Sequence, residues 1–507
     1  MANCEIEGFS PVSIFFRIFA KTKKSNIMNT NLESLNPSVF WKNFQLICSV
    51  PHPSHHEEKI QSLLMNFFEN LGYKPVKDEV NNIMVSKPAT PGMENKKGIV
   101  LQAHPDMVPQ ANADTTHDFV NDPIKAYIDG EWVTAAGTTL GADNGMGVAA
   151  IMTVFESKDL VHGPIEALLT STEEAGMVGA KGLKPGVLKG DILLNLDSSN
   201  EGQIYVGCAG GIDASVTMNY STEPANGEAF NISIKGLKGG HSGLDIALGL
   251  GNANKIFFRF LQKAQELGVR LSTISGGDMR NAIPREATAT VVVPKDKITE
   301  FKTFVEKFAT IVKAEFATAD PGLQVLVENG TADQVFKLND QHKLVNLVRS
   351  LPNGVMRMSN DLPNLVETST NLAIVKSENG AVNIYCLLRS SVDTAKDSLA
   401  DMMVSVCELA DVKIELSGSY PGWKPNMNSP ILKVAQDVYK EKWGKIPEIK
   451  AVHAGLECGI LGAAYPNWDM ISFGPTILGL HSPDEKVNIA SVEKFWDFLK
   501  LVLANVK

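Results

Sequence analysis

No two of the six cysteines (Cys4, Cys48, Cys208, Cys386, Cys407 and Cys458) stand close together in the chain. That spacing excludes a thiolate metal site and a disulfide framework, and points to reduced thiols in a cytoplasmic protein. No apolar run is long enough to span a bilayer. The nearest approach, residues 12–20, is interrupted by Arg17 and follows Glu5 and Glu7, where a signal peptide would carry positive charge. Basic residues are not in excess: the net charge is -10, and no basic stripe interleaved with aromatics occurs. Neither nucleic acid nor a membrane is therefore expected as a partner. What is present, 44% hydrophobic and 21% charged residues, belongs to an ordinary globular protein. At 507 residues the chain is too long for one core, so two or more domains are expected.

The stretch richest in chemistry runs from Gly137 to Gly176. A glycine-punctuated turn delivers Asp143 and Asn144 ahead of an apolar helix, residues 146–155. An apolar strand, residues 165–170, then leads to the adjacent acids Glu173 and Glu174. Neighbouring carboxylates repel, and in an apolar setting a proton or cation must compensate them. A divalent metal is the simplest compensation. A second buried strand, residues 98–103, delivers His104 and Asp106. Two residues apart on extended chain, these face the same way, which suits a metal-binding imidazole held by a carboxylate. A third strand, residues 191–196, ends at Asp197. Three apolar strands each ending in an acid or histidine predict an α/β fold with a largely parallel sheet and a site along one edge.

The remaining elements fit around this centre. Residues 40–50 read as a helix, and Ser54 reads as the N-cap of a second helix, with Glu57 three residues on. Residues 74–85 alternate like a strand pair with an Asn-Asn turn. Near Gly210 the pattern changes to strands (residues 230–234, 287–293, 371–375 and 382–388) mixed with helices (248–267, 299–316, 341–351 and 398–410). This predicts an inserted α+β lid of two β/α lobes over residues 213–417. Residues 28–212 and 418–507 then form the catalytic domain, and residues 1–27 an extension outside the fold. After a linker at residues 420–423, a helix (430–443), a strand (449–452), a glycine-rich turn (453–459), a strand (470–473), His481 and a last helix (490–506) follow.

The ordered set His104, Asp143, Glu174, Asp197 and His481 resembles the M20 metallopeptidases. Longer strings narrow the resemblance to the aminoacyl-histidine dipeptidase branch, also called cytosolic non-specific dipeptidase or peptidase D. They are V-L-Q-A-H-P-D-M-V-P-Q, G-T-T-L-G-A-D-N-G, T-E-E-A-G-M, G-L-K-G-G-H-S-G, R-N-A-I-P-R-E-A, H-A-G-L-E-C-G and H-S-P-D-E. One departure is Pro105, where the branch usually carries an aliphatic residue; it leaves His104 and Asp106 in place.

The resemblance implies two zinc ions, with Mn²⁺ or Co²⁺ as possible substitutes. Asp143 would bridge them, His104 and Asp197 completing one site and Glu174 and His481 the other. A water shared by the metals would be activated by Glu173 as general base, and Asp106 would hold His104 through its other ring nitrogen. His241 would stabilise the oxyanion, while Asn281 and Arg389 bind the substrate's terminal carboxylate. The expected substrates are unblocked dipeptides, preferably Xaa-His such as carnosine. Also expected are a homodimer, a cis peptide between Asp143 and Asn144, and a lid that closes over the metals of its own chain. The other histidines (His52, His55, His56, His117, His162 and His342) are expected to be structural or on the surface, and His453 to lie in a loop lining the site without an assigned role. Two alternatives stand beside this reading: an amidohydrolase acting on N-acyl amino acids, and a non-catalytic relative. The branch-specific strings count against the first, and the intact ligands and base against the second.

Overall fold

The computed structural model describes residues 30–507, so the N-terminal extension lies outside the described residues. An eight-stranded sheet forms the frame, in the order Val76–Lys77, Ile83–Lys87, Ile165–Leu169, Ile99–Ala103, Ile192–Asn195, Asp469–Ser472, Gln203–Cys208 and Glu448–Val452. Four of its seven pairings are parallel, including all those among strands Ile165–Leu169, Ile99–Ala103 and Ile192–Asn195.

Alternation along these strands covers both faces. Ile99, Leu101 and Ala103 join one core, whereas Val100 points into another. The larger core holds helices Ser38–Cys48, Ala142–Glu156, Pro430–Trp443 and Ile489–Asn505. Helices Val178–Gly182 and Glu457–Ala464 pack on the other face. Burial on both sides explains why these strands read as continuous apolar runs.

The chain leaves this sheet at Cys208 and enters a second at Gly210. The second sheet has nine strands, every pairing antiparallel, and its own apolar core beneath helices Ala253–Ala264, Ile298–Glu315, Leu338–Ser350 and Asp393–Leu409. Its two halves meet where Arg270–Gly276 pairs with Val366–Glu378 through only two residue pairs, Ser275 with Lys376 and Gly276 with Val375. The chain returns along Lys413–Tyr420, and Trp423 exchanges both backbone hydrogen bonds with Cys208 at 2.9 Å. Outgoing and returning segments thus lie side by side. A Cβ on Gly210 would come within 2.4 Å of the Tyr420 carbonyl oxygen, so only glycine fits that crossing.

Two local expectations are corrected. The second helix starts at Glu58 rather than at a Ser54 cap, because the Ser54 hydroxyl donates to Asp106 Oδ2 at 2.7 Å. The segment expected to be a turn at residues 453–459 passes into helix Glu457–Ala464. The short strands Ala126–Asp129 and Trp132–Ala135, which the sequence reading missed, pair with each other, and the second also pairs with Lys486–Asn488, in a small four-stranded antiparallel sheet.

Candidate metal centre

Because three adjacent strands run parallel, their carboxyl ends share one edge of the sheet, the usual place for a site in an open α/β fold. Ile99–Ala103 ends at His104, Ile165–Leu169 leads to Glu173 and Glu174, and Ile192–Asn195 to Asp197. Asp143 arrives at the start of helix Ala142–Glu156 and is followed by a cis peptide to Asn144. His481 comes from the loop between strands Ile477–Leu478 and Lys486–Asn488. His481 holds a positive φ of 59° without being glycine.

These side chains line one cavity of about 250 Å³ with Asn144, Ser198, Ser199, Tyr205 and Leu480. Within it, two groups of possible ligands share Asp143. His104 Nε2 lies 3.5 Å from Asp143 Oδ1 and 3.4 Å from Asp197 Oδ1. His481 Nε2 lies 3.4 Å from Asp143 Oδ2 and 2.9 Å from Glu174 Oε1. Each oxygen of Asp143 therefore addresses a different group. Ligand bonds of about 2.0–2.1 Å in a tetrahedron place neighbouring donors roughly 3.3 Å apart, so three of these four separations match donors around a cation. Glu174 Oε1 is buried and faces His481 Nε2, the nitrogen of its own group, which also suits a ligand atom. The residues present could hold two metal ions.

The electrostatics carry the same demand. Burial raises Asp197 to about 8, with the Asp143 charge adding to it. Burial pushes Glu173 well above the ordinary carboxylate range, with Glu457, Asp197 and Glu174 adding to it. Burial alone would depress the His104 imidazole, but Asp197, Asp106 and Asp143 hold it well above its usual value. Hydrogen bonding to Asp143 and Glu174 lifts His481 to about 10. Protons here do the work that cations would otherwise do.

Asp106 does more than face His104. Its Oδ1 is 3.4 Å from His104 Nδ1, but its backbone carbonyl is nearer, at 3.0 Å. The buried carboxylate also accepts the backbone N–H groups of Glu173 at 3.0 Å and Glu174 at 3.2 Å. Asp106 thus holds the histidine mainly through its carbonyl and the loop carrying the two glutamates through its carboxylate.

His241, Asn281 and Arg389 come together elsewhere, around Ser242. The Ser242 N–H donates to the Asn281 carbonyl at 2.8 Å, and Arg389 Nε donates to Ser242 Oγ at 3.3 Å. His241 and Asn281 line a separate cavity of about 700 Å³. Arg389 is 5% exposed, and its guanidinium otherwise donates to Tyr420 at 3.1 Å, with no acid partner among the described residues. Burial and the Arg389 charge lower His241, and the same causes with His241 lower His453 to about 3. His453 is itself buried and bonds Ser369 Oγ at 2.7 Å.

Sequence reasoning missed two buried acids. Glu457 accepts from Gln102 at 2.6 Å and Thr170 at 2.8 Å; it sat inside a quoted string, and no spacing rule marked it. Glu485 accepts the N–H groups of Leu140, Gly141 and Asp143.

Comparison with known proteins gives the family and the fold. Residues 100–505 match peptidase family M20/M25/M40. The chain is 47% identical over 481 residues to the cytosol non-specific dipeptidase of Escherichia coli, covering 94% of this chain and 99% of that protein. It superimposes on the aminoacylhistidine dipeptidase of Vibrio alginolyticus with a TM-score of 0.89 at 49% identity, covering 94% and 98% of the two chains. The fold extends to the aminopeptidase PepT of Bacillus cereus, at 16% identity, a TM-score of 0.59 and 93% and 99% coverage. This chain belongs to peptidase family M20/M25/M40.

Proposed function

We propose that the protein is a two-metal dipeptidase that hydrolyses unblocked dipeptides, preferentially Xaa-His, with Glu173 as general base. The observation that carries this reading is the pair of ligand groups sharing Asp143, with Glu173 beside them in the same cavity. His104, Asp143 and Asp197 would hold one cation; Asp143, Glu174 and His481 would hold the other. Mixed nitrogen and oxygen donors suit zinc, with Mn²⁺ or Co²⁺ able to take the same ligands. Bound there, the cations supply Lewis acidity that polarises a scissile carbonyl and brings the pKa of water near 7.

Glu173 Oε2 lies 3.9 Å from His104 Nε2; it belongs to neither group that shares Asp143, although with His104 and Glu174 it forms a third cluster of possible ligands. From there its carboxylate takes the proton of the attacking water and returns it to the leaving amine. His241 donates to the carbonyl oxygen as negative charge develops on it. Arg389, buried without an acid partner among the described residues, receives the substrate carboxylate together with Asn281. The Xaa-His preference, cytoplasmic location and homodimer draw support from the family resemblance, and the first two also from the names of the close relatives. Among the described residues no helix is long and apolar enough to cross a membrane.

His241 and the metal ligands line different cavities, so the reading requires the lid to close about Gly210 and the Tyr420–Gly422 segment. We place that closure within one chain. Mixing a Glu173→Ala chain with a His241→Ala chain should leave the mixture inactive; recovered activity would show one chain lending its histidine to another. The parent reading is tested by release of histidine from β-alanyl-histidine, abolished by a chelator and restored by zinc. An enzyme indifferent to the chelator would overturn it.

A further inference from the structure

Helix Ala142–Glu156 starts without a cap of its own. Its N-cap residue is Gly141, which has no side chain to accept the free N–H groups of a first turn. Leu140, Gly141 and Ala142 are themselves buried. One N–H group of that turn, from Asp143, and the N–H groups of Leu140 and Gly141 just ahead of the helix are satisfied from far away in sequence. Glu485 Oε2 accepts from Leu140 N–H at 2.8 Å and Gly141 N–H at 3.0 Å, and Oε1 accepts from Asp143 N–H at 3.1 Å.

Glu485 is 2% exposed and sits four residues after His481, at the head of strand Lys486–Asn488. Its own carbonyl accepts the Thr134 hydroxyl at 2.7 Å, and the strand it opens pairs with Trp132–Ala135, just upstream of the Asp143 loop. Backbone and side chain of one residue therefore bind the loop carrying His481 to the loop carrying Asp143, two ligands of a single group. A carboxylate is required, because three N–H groups converge on it from two sides and both of its oxygens accept. Glutamine would keep one accepting oxygen and turn an NH₂ toward a donor. Aspartate is one methylene too short to span all three.

We propose that Glu485 is a positioning residue: its buried carboxylate caps the Asp143 loop and locks it to the His481 loop, so that the shared aspartate is aimed at both metal positions. The proposal rests on the two-metal reading above. Residues that orient ligands in this way typically change metal affinity by about 10- to 100-fold when replaced.

The test compares purified wild-type, Glu485→Gln and Glu485→Asp chains, stripped of metal and equilibrated at buffered free Zn²⁺. Metal content, circular dichroism and steady-state kinetics are measured on each. Folded Glu485→Gln should need at least about tenfold more free zinc to fill its sites. Its kcat should fall more than KM rises, with Glu485→Asp recovering part of both. A folded Glu485→Gln that binds two equivalents with wild-type affinity would overturn the proposal, because a merely structural contact would lower the melting temperature and leave metal affinity alone. If the glutamine variant does not fold, Glu485→Asp decides: weakened zinc binding supports the proposal, and wild-type affinity overturns it. Wild-type protein that binds no zinc would instead refute the metal reading beneath it.

Discussion

Replacing Asp106 with asparagine removes charge while keeping shape, and the structure sets the size of the loss. The Asp106 carboxylate accepts from Ser54 Oγ at 2.7 Å, Glu173 N–H at 3.0 Å and Glu174 N–H at 3.2 Å, and faces His104 Nδ1 at 3.4 Å. Asparagine accepts with only one of its two terminal atoms, so one glutamate N–H is left facing an amide NH₂. A hydrogen bond to a charged group contributes about 1.5–3 kcal/mol. His104 keeps its nearer contact to the Asp106 carbonyl at 3.0 Å, so its orientation should largely survive. With about 1.4 kcal/mol per tenfold in rate, kcat/KM should drop about 10- to 150-fold. The assay is the initial rate of histidine release from β-alanyl-histidine by zinc-reconstituted enzyme, with metal content measured on the same sample. A variant within twofold of wild type at full metal content would refute the idea that Asp106 organises the glutamate loop.

Glu173→Ala should keep the fold and both metals while kcat falls by a factor on the order of 10² or more, as loss of a general acid-base predicts; near-normal turnover would remove Glu173 from that role. Asp143→Ala should lose at least one equivalent of metal, since both ligand groups contain Asp143, and two retained equivalents by elemental analysis would rule out a bridge. Burial shields Cys48, Cys208, Cys386, Cys407 and Cys458 and raises their thiols, Cys208 and Cys407 to about 11 and Cys386 to about 12. A disulfide reagent at pH 8 should therefore find at most one fast thiol in the native chain, with Cys4 outside the described residues, and six after unfolding; two fast thiols in the native chain would contradict that burial.

The fold was legible where the signal is local. Strands buried on both faces read as apolar runs, and a polar residue at the end of such a run points to the site edge, which is how His104, Glu173, Glu174 and Asp197 could be found. His481 has no such strand behind it, and only the resemblance singled it out. Ser54 looked like a helix cap because cap chemistry and hydrogen bonding to a carboxylate use the same hydroxyl; Asp106, 52 residues away, takes it. The turn expected at residues 453–459 hides the start of helix Glu457–Ala464, since its glycines lower helix propensity while buried packing overrides them. Glu485 stood in the quoted string H-S-P-D-E, but its role was not legible there. Its partners are backbone groups 342 to 345 residues away, and backbone N–H groups leave no mark on sequence.

On the proposed reading, two cations held by ligand groups sharing Asp143 are needed for dipeptide hydrolysis. Metal-stripped enzyme titrated with Zn²⁺ tests it directly, following β-alanyl-histidine hydrolysis against bound metal. The account predicts no hydrolysis before addition and a plateau reached at two equivalents per chain. Hydrolysis by the stripped protein, or a plateau at one equivalent, would contradict it.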